Sequence, residues 1–173
     1  MKSRPIPVRA ATAGLTLLVA AATVSAHDAI DARLRGFQEV PVVSTVAKGR
    51  FKASVDDRSS AIHYELSYSG LEGTVTQAHI HLGQHSVNGG IMVWLCQTST
   101  NADPTGLAPT CPQSGTVSGM LQASNVIGPA GQGIDALQFA EVVAAIRAGV
   151  AYANVHSSKF PGGEIRAQLR GDD

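Results

Sequence analysis

Strict alternation of apolar and polar residues marks several short segments of this chain. Ile62, Tyr64, Leu66 and Tyr68 alternate with His63, Glu65 and Ser67, the period of two that lays one face of a strand on a core. Phe51, Ala53 and Val55 show the same pattern just before, and Asp56-Asp57-Arg58-Ser59-Ser60 between the two segments is a turn cluster. Val75 to Leu82 predicts another strand, and Ile91 to Cys96 a nearly continuous apolar one entered from Asn88-Gly89-Gly90. Ser114 to Leu121 is a weaker candidate, while Ala151 to His156 and Glu164 to Leu169 form a last pair around Pro161-Gly162-Gly163.

One segment follows helical spacing instead. Asp135 precedes Ala136 to Ala148, in which Leu137, Ala140, Val143 or Ala144, and Ile146 or Arg147 share a face. Asp135 and Gln138 resemble a capping box, and Gly149 sits where a helix end favours positive φ. About eight strands and one short α-helix predict an all-β fold, a Greek-key-like antiparallel β-sandwich or a barrel-like variant of it.

The first 26 residues break from this pattern. Lys2, Arg4 and Arg9 precede an apolar run from Leu15 to Ala22, and Val24-Ser25-Ala26 offers small residues for a signal peptidase. The expectation is a cleaved secretory signal at 1–26, followed by a single domain at 27–173 in a secreted or periplasmic protein. Thr12, Gly14, Thr16 and Thr23 dilute the run below what a membrane-spanning helix needs. No cysteine near the cut suggests a lipid anchor, and no Arg-Arg pair suggests twin-arginine export.

Cleavage changes the charge. The full chain balances 13 basic against 13 acidic residues; without Lys2, Arg4 and Arg9 the balance is 10 against 13, a net charge of −3. No basic run stands out along the sequence, so neither a nucleic acid nor an anionic membrane is an expected partner. Export also gives meaning to Cys96 and Cys111, the only two cysteines, since disulfides persist outside the cytoplasm. Their bridge would staple the turn-rich segment between them, worth roughly 3 kcal/mol for a loop of about 15 residues.

Candidate chemistry concentrates on histidine. His79 and His81 lie two apart in a strand and therefore project from one face. Imidazole pairs suit Cu(II) or Zn(II), and His156, at the end of a strand whose Tyr152 and Asn154 share its face, is the best third ligand. The alternative is three hydrogen-bonded histidines with no ion. His85, in the loop after His81, and His27, which cleavage would leave at the amino terminus, are possible additional ligands, whereas His63 falls on a solvated face.

Several segments together resemble the CHRD domain, a module of chordin and of secreted bacterial proteins. They are Leu34-Arg35-Gly36-Phe37-Gln38-Glu39-Val40-Pro41, Ala78-His79-Ile80-His81-Leu82-Gly83, Val87-Asn88-Gly89-Gly90, Gly149 to His156, and Pro161-Gly162-Gly163-Glu164-Ile165-Arg166-Ala167-Gln168-Leu169. The resemblance spans about Ala29 to Leu169 and implies an extracytoplasmic β-sandwich. It places His79, His81 and His156 on family motif positions, but not His85 or His27. Ala167 stands where the family usually has glycine, and the family itself has no established biochemical activity.

The leading expectation is a non-catalytic module that holds a metal ion, copper before zinc, with Glu164 and Arg166 as supporting groups or simply as a cross-strand charge pair. A structural or protein-binding module without metal is one alternative; an enzyme similar to copper superoxide dismutases is another, although no counterpart of the dismutase zinc subsite lies between His81 and His156. The expected partner is an extracytoplasmic protein or a small ligand. A GxSxG elbow, a GxGxxG turn after a strand and a phosphate-binding GxxxxGK[ST] loop are all absent.

Overall fold

A computed structural model describes residues 28–170. Eight strands run in the order β1 (Asp28–Arg35), β2 (Lys48–Asp56), β3 (Ala61–Ser69), β4 (Val75–Leu82), β5 (Ile91–Cys96), β6 (Gly115–Leu121), β7 (Ala151–Ser157) and β8 (Ile165–Leu169), with helix α1 (Phe139–Arg147) between β6 and β7. The all-β expectation holds. The strand missing from the alternation reading is β1, in which Ile30, Ala32 and Leu34 turn inward between exposed Asp31, Arg33 and Arg35.

All pairings between named strands are antiparallel, in the spatial order β5-β4-β7-β8-β1-β2-β3-β6. The two halves of this sheet meet at a single residue pair, Arg35 opposite Arg166, between β1 and β8. The eight strands thus form one strongly curved sheet rather than two separate ones. Its apolar faces enclose one core that includes Leu34, Phe51, Leu66, Ile80, Leu95, Val155 and Ile165. The far edges, β5 and β6, come back towards each other, and Tyr64 on β3 donates its hydroxyl to the Leu95 carbonyl on β5 at 2.6 Å. The Cys96–Cys111 disulfide ties the end of β5 to the crossing that leads to β6. Within that crossing Asp103 accepts hydrogen bonds from the amides of Thr105, Leu107 and Ala108. The turn-rich segment therefore has an internal anchor besides its covalent staple.

The helix starts later than its spacing suggests. Leu137 adopts φ +71 and is exposed, so no helix can run through it. The Asp135–Gln138 contact does form, with the Asp135 amide donating to the Gln138 side chain at 2.7 Å, but it closes a turn ahead of the helix. From Phe139 onward, Val142, Val143 and Ile146 bury one face of α1 in the core. Gly149 takes the expected positive φ of 68 beyond the helix end.

The outer faces of the two halves differ in kind. Over β5-β4-β7-β8 the loops at 36–46, 83–90 and 158–164 fold down and bury polar side chains. The outer face of β1-β2-β3-β6 stays open, and there Arg33 lies opposite Arg50 and Arg35 opposite Lys48. A scan for basic runs misses this patch because apolar residues separate the charges along each strand.

Candidate functional site

The register of β4 against β7 builds the site. His79 and His81 project from the outer face of β4, with Asn154 opposite His79 and Tyr152 opposite His81. His156 follows on the same face of β7, diagonal to His79. Trp94 on β5 flanks His79 from the other side, its ring edge-on at a centroid distance of 4.3 Å. All three histidines are buried, His79 completely. Each offers one ligand nitrogen, and the three atoms lie within 4.8 Å of one another.

Backbone carbonyls decide which nitrogens face inward. His81 Nδ1 donates to the Gly89 carbonyl at 2.9 Å, and His156 Nδ1 donates to the Pro161 carbonyl at 2.9 Å. A neutral imidazole with a protonated Nδ1 carries its lone pair on Nε2, so both rings present Nε2 to the cluster. The Nε2 of His156 lies 3.2 Å from His79 Nδ1 and 3.0 Å from the Asn154 side-chain amide, which must turn its nitrogen towards this lone pair because an oxygen there would repel it. The Nε2 atoms of His79 and His81 are buried with no hydrogen-bond partner.

Burial also sets the protonation state. It is the main cause that lowers His79 to a pKa of about 2, aided by repulsion from His156 and His81. It lowers His81 to about 4, against the opposing effect of the Gly89 carbonyl, and pushes His156 down as well. All three rings are therefore neutral near pH 7, the form that ligates metal.

The surroundings hold the rings rigidly. Tyr152 is stacked on His81 with centroids 4.7 Å apart and planes 3° from parallel, and the Arg166 guanidinium carbon lies 3.4 Å from the Tyr152 ring centre. Arg166 reaches further, donating to the Gln84 and Val87 carbonyls at 3.1 and 2.9 Å and to the Asn88 side chain at 3.1 Å. It thereby fastens the 83–90 loop, whose Gly89 carbonyl orients His81. Glu164 is also fully buried, but its Oε1 accepts from Thr45 Oγ1 and the Glu72 amide, both at 2.8 Å. That carboxylate fastens the 36–46 loop over the sheet.

His85 stays apart: it is exposed and pairs with Ser86 Oγ at 2.8 Å. His63 is exposed on β3 as expected. His27 and the signal segment lie outside the described residues. Two neighbours escaped the sequence reading. Trp94 sits inside an apolar run, and Glu39 reaches the site only because its loop folds back. Glu39 is buried, and its Oε1 has no partner. Burial, opposed by Arg166, raises its pKa to about 7.

Among the described residues, every buried side-chain polar atom without a hydrogen bond belongs to this layer: Glu39 Oε1, His79 Nε2, His81 Nε2, Trp94 Nε1, Glu164 Oε2 and Gln168 Oε1. Such groups are costly to leave unpaired, and two of them are lone-pair nitrogens of the His cluster. The donor set fits a divalent ion of the imidazole-binding kind.

The family model of the CHRD domain matches residues 30–169. The chain belongs to the CHRD domain family. No curated protein and no solved structure matches it. The matched CHRD region contains the whole His cluster, the disulfide and all strands from β2 onward. Among the described residues of this CHRD chain, no helix is long and apolar enough to cross a membrane.

Proposed function

We propose that this CHRD protein is an exported, non-catalytic module that holds one divalent metal ion, copper in preference to zinc, on His79, His81 and His156. The observation that carries this reading is the pair of Nδ1-to-carbonyl bonds on His81 and His156, which aim two Nε2 lone pairs into a buried cluster. Metal-bound histidines characteristically donate their other ring nitrogen to such an acceptor. Three imidazole ligands suit either ion, and the general affinity order favours Cu(II) over Zn(II).

Trans ligands at about 2.0 Å per bond stand about 4 Å apart, so the widest spacing of 4.8 Å closes with a small inward shift of the rings. The Cys96–Cys111 disulfide supports an oxidising, extracytoplasmic location. Burial of all three rings leaves little room for a substrate over an ion, which supports holding rather than turnover. Copper-dependent dismutation is accordingly the weaker reading.

Equilibrium dialysis against Cu(II) and Zn(II) tests the proposal. The expected result is one ion retained per chain, copper the more tightly, with retention greatly weakened by His81→Ala. Failure to retain either ion would leave the cluster as a set of structural histidines.

A further inference from the structure

We propose that the open outer face of β1-β2-β3-β6 is a binding groove for a linear acidic polysaccharide. The site is remote in kind from the His cluster, lying on the other half of the sheet, and it stands or falls independently of metal binding. It is a shallow cavity of about 540 Å³ with Arg33, Arg35, Lys48 and Arg50 on its walls.

The arrangement follows from strand register. Arg33 faces Arg50 and Arg35 faces Lys48 across β1 and β2. Like charges directly opposite on neighbouring strands oppose folding, and here two such pairs adjoin on a chain whose exported form carries net negative charge. Arg50 is held by Asp31 in a two-pronged ion pair. Arg33, Arg35 and Lys48 are exposed and make no ion pair among the described residues. Asp31 also feels Arg33, yet one carboxylate between Arg33 and Arg50, beside Arg35 and Lys48, leaves the groove with an excess of positive charge that a diffusing anion senses.

Hydroxyl groups continue both rows. Arg50 is followed across the sheet by Ser67 on β3 and Thr116 on β6, and Lys48 by Ser69. With adjacent strands about 4.8 Å apart, a row across four strands extends about 14 Å. Cations at one end and hydroxyls at the other match a polymer that bears both acidic groups and sugar hydroxyls. Guanidinium groups pair well with planar or tetrahedral oxyanions through parallel N–H donors.

The groove lacks what a single-stranded nucleic acid would use. Tyr68 is the only aromatic residue on its lining, and that ring is buried with its hydroxyl donating to the Pro112 carbonyl at 2.5 Å. No ring is therefore offered for base stacking. Charge complementarity and hydroxyl content together select the acidic glycan.

The test is calorimetric titration of the purified protein with three probes of similar charge: a sulfated glycosaminoglycan oligomer, an oligogalacturonate and a thymidine oligonucleotide. The expected result is saturable binding of at least one glycan, weakened by salt and tighter than the oligonucleotide. The two glycan arms distinguish sulfate from carboxylate as the recognised group. In the double variant Arg33→Gln/Lys48→Gln, which removes one member of each opposed pair, affinity should fall at least roughly tenfold while the melting temperature holds or rises. Arg58→Gln, in the β2–β3 turn, should leave affinity unchanged. No saturable glycan binding at low salt, equal or tighter binding of the oligonucleotide, or an unaffected double variant would each overturn the proposal.

Discussion

His81 donates its Nδ1 proton to the carbonyl oxygen of Gly89 over 2.9 Å. That contact fixes the tautomer and turns the Nε2 lone pair towards His79 and His156. Gly89 is itself held in place, its amide donating to the Tyr152 hydroxyl at 3.2 Å. Tyr152 in turn lies between His81 and Arg166, so strand, loop and imidazole form one connected unit.

Substituting Gly89 should break that unit. A Cβ at this position would stand 1.6 Å from the Leu82 carbonyl oxygen, a backbone atom that cannot move aside cheaply. Gly89→Ala is expected to shift the 83–90 loop and weaken Cu(II) binding by about 10- to 100-fold, the range for lost ligand-orienting contacts. Titration alongside a far-ultraviolet spectrum that shows an intact sheet checks this. Unchanged affinity would mean that the carbonyl anchor is irrelevant to binding.

Arg166→Lys tests the same unit from the opposite side. Lysine keeps the charge but cannot stack flat on Tyr152 while also reaching the Gln84 and Val87 carbonyls and the Asn88 side chain. Loss of hydrogen bonds to a buried charged group predicts a destabilisation of about 2 kcal/mol or more, measurable by urea unfolding. A variant as stable as the parent would show that the guanidinium fork adds nothing beyond its charge.

Acidity should destabilise the metal-free protein in a defined window. His79 and His81 have folded-state pKa values of about 2 and 4, below the unfolded value of 6.5. Their contribution is complete above pH 6.5 and declines as pH falls, because the unfolded chain takes up protons that the native rings refuse. Each group costs on the order of 1 kcal/mol per pH unit over this range. Glu39 works the other way: raised to about 7 from 4.5, it favours the native state below pH 4.5 and loses that effect as pH rises towards 7. The two trends partly cancel between pH 6.5 and 4.5, so the loss should be steepest between about pH 4.5 and 4, where Glu39 no longer opposes the two rings, and below pH 4 His79 alone should continue it. Chemical denaturation across this range measures it, and stability that rises on acidification through pH 4.5 to 3 would contradict the assignment.

Much of this architecture can be read from alternation alone. The segments from Phe51 to Leu169 correspond to β2 through β8 within a few residues: β2 and β3 bury one face and record it as a period of two, whereas β5 is buried on both faces and shows as an apolar run. β1 carries the same period of two, Ile30, Ala32 and Leu34 alternating with charged Asp31, Arg33 and Arg35, so it too is legible in the sequence. The helix begins later than its spacing predicts because a left-handed Leu137 leaves no trace in hydrophobic spacing. His79 and His81 declared their shared face through strand geometry, and His156 met them through pairing of β4 with β7. Glu39, the loop-fastening role of Arg166 and the basic rows on β1 and β2 depend on segments brought together only by folding. No local pattern encodes such meetings.

If the three histidines bind one copper ion as proposed, that ion sits beside Trp94. Trp94 is the only tryptophan in the chain, and its ring centre lies 4.3 Å from that of His79. Cu(II) held by His79 would lie close to this indole and quench its fluorescence strongly. The most direct measurement is a Cu(II) titration of a His27→Ala protein, which removes the possible terminal chelate, with fluorescence and electron paramagnetic resonance recorded on the same samples. The account predicts a quench that ends at one equivalent, together with a spectrum split by nitrogen ligands, and loss of both in His81→Ala. Unquenched Trp94 at one equivalent, with the spectrum of aqueous copper, would contradict it.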